Sequence, residues 1–170
     1  MLSNSPTHFD ADGKAHMVDV SEKQVSIREA TAVADLLMSS TTAELIQSGN
    51  AKKGDVLGVA RLAAIQATKI THQLIPLCHA IPVEAVTVKF SWPTEISTSG
   101  ELEPTKSILR CEVCVRTSAK TGVEMEALTA VSVGSLTIYD MVKAVERGIE
   151  VRNICLLEKK GGKTGDFLRT

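Results

Sequence analysis

Asp140 and Lys143 stand three residues apart near the end of a stretch, 121–143, that is uncharged over its middle. On a helix that spacing puts the carboxylate and the ammonium on one face. Such a pair is either a surface ion pair worth little or an acid/base pair beside an anion. Glu124 and Glu126 lie at the start of the same stretch, whose apolar residues run almost all the way round. Charged groups on a helix of that kind are costly unless they are paired or used. Glu126 and Asp140 are fourteen residues apart, about 21 Å of helical rise. They cannot both grip one small reacting centre within one chain. The ligand is long, or the helix serves different sites, or two subunits build one site.

Other chemistry-bearing residues sit in loops and at helix ends. His79 lies in PLCHAIP, 76–82, bracketed by two prolines. Its ordinary pKa suits proton transfer near neutral pH, although a lone histidine after an apolar run also fits a structural role. Arg28, Arg61 and Lys69, each taken singly, read as solvated cations, and Lys53 sits just before a helix start. KKGGKTG, 159–165, lacks the spacing and the strand-loop-helix setting of a phosphate-binding P-loop. It fits either a solvated tail or a mobile glycine-rich loop bringing Lys159, Lys160 or Lys163 to a phosphate. Cys111 and Cys114 form a C-x-x-C, but in ILRCEVCVRT, which reads as a strand. Residues i and i+3 of a strand point to opposite faces, so these thiols do not converge on a metal. Buried, inert thiols are expected, and no metal site.

These residues need elements to hold them. Residues 1–15 are polar and read as a flexible arm; HMVDVS, 16–21, is extended or a loop laid over a neighbouring surface. Alternation predicts a strand from 24 to about 33. The hydroxyl run 39–42 caps a short helix stopped by Gly49, and Gly54 and Asp55 open a second helix with Val56, Ala60, Ala64 and Ala67 on its packed stripe. Strands follow at 83–92 and 107–119 around a hairpin loop. Thr121 with Glu124 fits a capping box for the long helix, which ends near Gly148. A last strand covers 149–159, before a Gly- and Lys-rich tail that cannot pack alone. The order strand, helix pair, strand, strand, helix, strand predicts an α+β fold. The expected form is a ferredoxin-like sandwich, a four-stranded antiparallel sheet with helices on one face.

Composition narrows the function. The 170 residues carry a net charge of −1, with one Trp, one Tyr and three Phe. Neither nucleic acid nor membrane is favoured as a partner, although a local basic pocket is compatible with that balance. No apolar run approaches the roughly 20 residues of a membrane span. The N-terminus lacks a signal-peptide core, so a cytoplasmic protein is expected.

The runs HMVDVS, KKGDVLGVAR (52–61), LIPLCHAIP (74–82), TGVEMEALTAVSVGSLTIYDMVKAVE (121–146) and KKGGKTG together resemble the cyclic pyranopterin monophosphate synthase family, molybdenum cofactor biosynthesis protein C. The resemblance covers the chain from His16, making 16–170 a single catalytic domain. It implies conversion of 3′,8-cyclo-7,8-dihydro-GTP, a small nucleotide-derived substrate, into cyclic pyranopterin monophosphate and diphosphate. That is a diphosphate-releasing lyase in molybdopterin synthesis. It implies homohexamers, trimers of dimers, with sites at subunit interfaces. It requires no cofactor, with Mg2+ allowed on the triphosphate or diphosphate. The family's catalytic aspartate falls on Asp140 and its lysine partner on Lys143, with His79 and Lys53 as further catalytic candidates. Its substrate contacts fall on Leu77, Cys78, His79, Met125 and Glu126, then Glu124, Lys69, Lys159 and Arg28. Departures are Ala80 for a usual proline, Ala64 for a frequent glycine, Gly134 and Ser135 for small apolar residues, and Val142 for a common cysteine. None removes a charged pocket residue. A nucleotide-binding regulatory module and an RNA-binding module of the same topology are the alternatives.

Overall fold

The computed structural model describes residues 9, 12–96, 100–101, 103–163 and 165–170. Most of the expected arm, 1–15, lies outside them. The organising element is β1 (Ser26–Ser39). It pairs antiparallel along its length with β5 (Lys106–Ala119) on one side and with β6 (Glu150–Lys160) on the other. β2 (Ala85–Ser91) lies outside β5, and β7 (Phe167–Leu168) outside β6. β3 (Glu95–Ile96) and β4 (Gly100–Glu101) form a separate small ribbon within the long 93–106 hairpin loop.

The architecture is therefore α+β: one five-stranded antiparallel sheet, order β2-β5-β1-β6-β7, with three helices among the described residues. Four strands were expected. The fifth comes from the tail, which does pack: Phe167 and Leu168 pair with Lys159 and Glu158 on the free edge of β6. Backbone pairing at an open edge needs little apolar surface, so composition hides it. β1 also runs to Ser39, beyond the expected end near Val33, because Leu36 and Met38 continue its buried face.

Alternation sets the sheet's two faces. Ala30, Ala32, Ala34, Leu36 and Met38 of β1, and Leu109, Cys111, Val113 and Val115 of β5, face the helices. α1 (Ser40–Gln47) starts at the N-cap Ser39 as expected, and α2 (Val56–Leu74) at Asp55, whose carboxylate accepts from the Gly58 amide at 2.8 Å. α3 (Glu124–Val142) lies against α2. Their contact is built from small residues: a Cβ at Gly134 would stand 3.3 Å from that of Ala64. The small residues of α3 thus serve an approach within the chain.

Both ends of α3 differ from expectation. The N-cap is Val123, with no side-chain hydrogen bond, rather than Thr121. Burial of the Val123 side chain fixes where the chain turns into the helix. The helix stops at Val142, six residues before Gly148. There the chain turns so that Glu146 reaches Ser39. Its carboxylate accepts from the Ser39 amide at 3.0 and 3.1 Å and from the Ser39 hydroxyl at 2.8 Å. Burial pushes the Glu146 pKa up, but a hydrogen bond from the Thr42 side chain, then those from Ser39, and the charge of Lys106 together outweigh it, and the net shift is downward.

On the other face of the sheet Asp35 is buried and takes a two-pronged bond from Arg110, 2.7 and 2.9 Å, with Asn153 donating at 3.2 Å. Cys111 lies in the helix-side core and Cys114 on the opposite face, as the strand reading required; burial pushes the Cys111 thiol up to about 12. No helix among the described residues is long and apolar enough to cross a membrane.

Candidate functional site

The α2–α3 pair sorts the chemistry-bearing residues into two groups, one at each end. At the start of α2 and the end of α3, Lys53 meets Asp140 from 87 residues away. Its ammonium lies 3.0 Å from Asp140 Oδ2 and donates to the Asp140 backbone carbonyl at 2.7 Å. Lys143 lies 2.6 Å from Asp140 Oδ1, the i, i+3 pair read from spacing. One carboxylate thus bridges two ammonium groups. Hydrogen bonds from Lys143 and then Lys53 hold the Asp140 pKa below the usual carboxylate range, and Asp140 in turn raises that of Lys143. At neutral pH the three groups present ionised Asp140 and ammonium protons. Cations beside the last carbonyls of a helix are also favoured by its dipole.

The other group lies at the end of α2 and the start of α3, around a two-lobed cleft. The larger lobe, about 830 Å³, is lined by Lys23, Arg28, Lys120, Lys159, Lys160 and Lys163 against Glu22, Glu29 and Glu124. Six cations over three carboxylates make it an anion site. Two of the carboxylates are matched locally, Glu124 with Lys159 at 3.6 Å and Glu29 with Lys160 at 3.7 Å. Arg28 has a buried Nε with no hydrogen-bond partner among the described residues.

The smaller lobe, about 440 Å³, is lined by Leu77, Cys78, His79, Ile81, Met125 and Glu126 with Val18 and Val20. Lys23, Thr121, Gly122 and Glu124 line both lobes and form the ridge between them. Glu126 is only 4% exposed, and its pKa is raised, first by burial and further by Glu124. Burial, and then Glu126, push the Cys78 thiol up as well. A buried carboxyl with a raised pKa is the usual form of a general acid that works near neutral pH.

The segment 16–21 is the loop over a neighbouring surface. His79 Nε2 is 2.8 Å from the Val18 carbonyl, and a carbonyl only accepts, so Nε2 carries the proton. Lys120 donates to the Ser21 carbonyl at 2.6 Å, and Asp19 accepts from the Ser21 amide at 2.8 Å. That last bond is the largest cause of Asp19's lowered pKa.

The candidates therefore divide as follows. Lys53, Asp140 and Lys143 come together, as do Leu77, Cys78, His79, Glu124, Met125, Glu126, Lys159 and Arg28. Lys69 is exposed on α2 and lines neither lobe. Arg61, read as a solvated cation, instead donates to the Val88 carbonyl and stacks on Phe90 at 5.3 Å. Lys23 and Lys120 were not singled out from sequence. Each is a lone cation in a polar run, and only the fold of 16–24 against 120–124 brings them to the cleft. Among the described residues no three or more His, Cys, Asp or Glu side chains group as a metal site.

The sequence of this chain matches the family model described as "MoaC family" over residues 17–162. It is 53% identical over 163 residues to the cyclic pyranopterin monophosphate synthase of Rhodopirellula baltica, covering 96% of this chain and 93% of that relative. It is also 53% identical over 161 residues to the protein of the same name from Cereibacter sphaeroides strain KD131, covering 95% of each.

Proposed function

The chain belongs to the MoaC family, and from that premise we propose that it is a cyclic pyranopterin monophosphate synthase of molybdenum cofactor biosynthesis. Its substrate is 3′,8-cyclo-7,8-dihydro-GTP and its products are cyclic pyranopterin monophosphate and diphosphate. The reaction class is a phosphorus–oxygen lyase. The observation that carries the reading is the Lys53–Asp140–Lys143 unit, an acid/base group assembled from two distant segments on an open helix end.

Two kinds of chemistry are needed. The imidazole portion of the purine must open and its atoms re-close as a pterin, which needs protons given and taken at defined atoms. Ionised Asp140 orients Lys53 and Lys143, and the ammonium groups donate. His79 and the raised-pKa Glu126 supply further proton transfer in the smaller lobe, where Leu77, Cys78 and Met125 shape an apolar wall. In the second step a sugar hydroxyl attacks the α-phosphorus. The bond from that phosphorus to the bridging oxygen breaks, the hydroxyl proton passes to a base, and diphosphate leaves. Arg28, Lys159 and the other lysines of the larger lobe offset the phosphate charge. Mg2+ carried in with the phosphates would offset part of their charge; of the lobe's carboxylates, Glu124 and Glu29 are engaged by lysines.

The ends of the helix pair lie too far apart for one chain to close both on one small molecule. We read the site as shared between subunits of a homohexamer, a trimer of dimers. Support comes from Val59, Leu62 and Leu136, exposed apolar side chains on the α2–α3 pair. Lys69 then reaches substrate held by another chain. The same reading takes β2-β5-β1-β6 as a ferredoxin-like sandwich extended by β7, and the protein as cytoplasmic. Incubation with purified 3′,8-cyclo-7,8-dihydro-GTP tests the activity. Stoichiometric release of diphosphate and a pterin product is expected, and intact substrate after many hours overturns it.

A further inference from the structure

The turn after β6 brings two glycines against the cationic lobe. Gly161 has φ +84° and Gly162 φ +91°, backbone that L side chains rarely adopt. The turn is closed by the Gly161 amide donating to Asp166 Oδ1 at 2.9 Å and the Gly165 amide donating to the Gly162 carbonyl at 3.2 Å. β1 and β6 are still paired at Glu29 with Lys160, so Gly161 falls opposite Arg28 and Gly162 opposite Ile27, just past the end of the ladder.

The two glycines meet different atoms. A Cβ at Gly161 would overlap the backbone oxygen of Ile27. A Cβ at Gly162 would overlap Arg28 Nη1 and stand 3.0 Å from its Cζ. The first clash is with a main chain that cannot yield; the second is with the far end of a side chain that can. The Arg28 guanidinium thus occupies the space that any other residue at 162 would fill. It also enters the lobe with its buried Nε unpartnered, unlike Lys160, which pairs with Glu158 at 2.8 Å.

We propose that Gly162 is a positioning residue. The absence of a side chain there seats the Arg28 guanidinium in the larger lobe, its donors turned to an oligophosphate anion. This rests on the activity proposed above for the choice of anion, but its geometry stands apart from it. Any β-carbon at 162 moves the guanidinium off its seat while leaving the β1–β6 ladder intact.

The test uses the full-length protein and inorganic tripolyphosphate as probe, with binding measured by calorimetry. Gly162→Ala is expected to weaken tripolyphosphate binding about tenfold, the scale of a lost charge-assisted hydrogen bond. Arg28→Ala should weaken it by as much or more. In the Arg28→Ala background, Gly162→Ala should add less than twofold, since its effect passes through the missing guanidinium. Gly162→Asn, which tolerates positive φ better, should reproduce Gly162→Ala with less loss of Tm. That variant keeps the test open if Gly162→Ala folds poorly. Unchanged binding in Gly162→Asn, or a Gly162 effect that multiplies independently with that of Arg28→Ala, overturns the proposal. Turnover reads the two ideas separately. A wild-type protein that binds tripolyphosphate with the expected coupling but does not convert the cyclic dihydro-GTP substrate sinks the proposed activity alone. Turnover without the coupling sinks only the role of Gly162.

Discussion

At the Asp140 end of the α2–α3 pair, one carboxylate meets two ammonium groups in the open. At the Glu126 end, a buried carboxylate with a raised pKa adjoins a lobe rich in cations. The first end is ionised and held by its own partners. The second buries Glu126 and an Arg28 Nε that has no partner among the described residues. Exposed ion pairs add little to stability because water competes for both members, so chemistry is the better account of the first end. Burying a carboxylate costs stability, and Glu126 at the second end carries that cost. The length of α3 keeps the two ends apart.

The sharpest way to break this contrast is at Asp140. Asp140→Asn removes the charge that gathers Lys53 and Lys143. Turnover should fall by about 10²- to 10⁴-fold, the range of general acid–base contributions, with circular dichroism and Tm close to wild type. Lys143→Ala should behave alike. Retained turnover in Asp140→Asn would remove the Asp140 end from the mechanism.

Next in size is complementation. Lys53→Ala and His79→Ala proteins should each be inactive, and should regain on the order of a quarter of wild-type activity when mixed under subunit exchange. That is the fraction of intact composite sites in randomly paired dimers. Demonstrated exchange with no recovery would put both residues in the pocket of one chain. Sedimentation at micromolar protein should show a species far heavier than one chain, and a fully active monomer would end the shared-site reading.

A subtler difference lies in how stability follows pH. Glu126 has a folded pKa raised above its ordinary value of 4.5. The folded state therefore binds its proton more tightly than the unfolded chain does. Stability is favoured below 4.5 and is lost as pH rises through the folded pKa. Glu126→Gln should raise Tm at pH 7 to 8, with the gain shrinking toward pH 4.5. Asp140, lowered and exposed, has the opposite sign, and Asp140→Asn should show no such gain. A flat Tm difference for Glu126→Gln across this range would show that burial does not set the Glu126 pKa.

The smallest effect is expected midway between the ends. Gly134→Ala adds helix propensity worth up to about 1 kcal/mol, but its Cβ would press on Ala64, and overpacking costs about 1–3 kcal/mol. A net loss of about 1 kcal/mol, read from denaturant unfolding, is expected from those two terms. A gain in stability would mean that the helix pair yields freely and does not fix the spacing of the ends.

Local signals in the chain carried far. The i, i+3 spacing of Asp140 and Lys143, the Asp55 cap and the alternation around Cys111 are all settled within a few residues, and each appears in the fold. Thr121 and Glu124 had capping-box spacing, yet the seat of Val123 in the core placed the helix start. Lys53 needed the antiparallel packing of α2 on α3 before its partner was visible, and Lys23 and Lys120 needed the path of 16–24 over the cleft. The edge strand at Phe167 and Leu168 has almost no apolar pattern, because pairing there is by backbone. Much of the cleft is tertiary in origin, and spacing alone could not have assembled it.

The carboxylate of Glu146 holds the Ser39 amide across a separation of 107 residues. An amide proton gripped in that way is traded for solvent deuterium only when the grip is released. Glu146 lies one turn beyond Lys143, on the chain leaving α3, so fraying of the Asp140-bearing end is expected to release this grip. Deuterium uptake at the single amide of Ser39 is thus a clock for the opening of that end. It can be read in the resting protein, with no label near Asp140 and no ligand present.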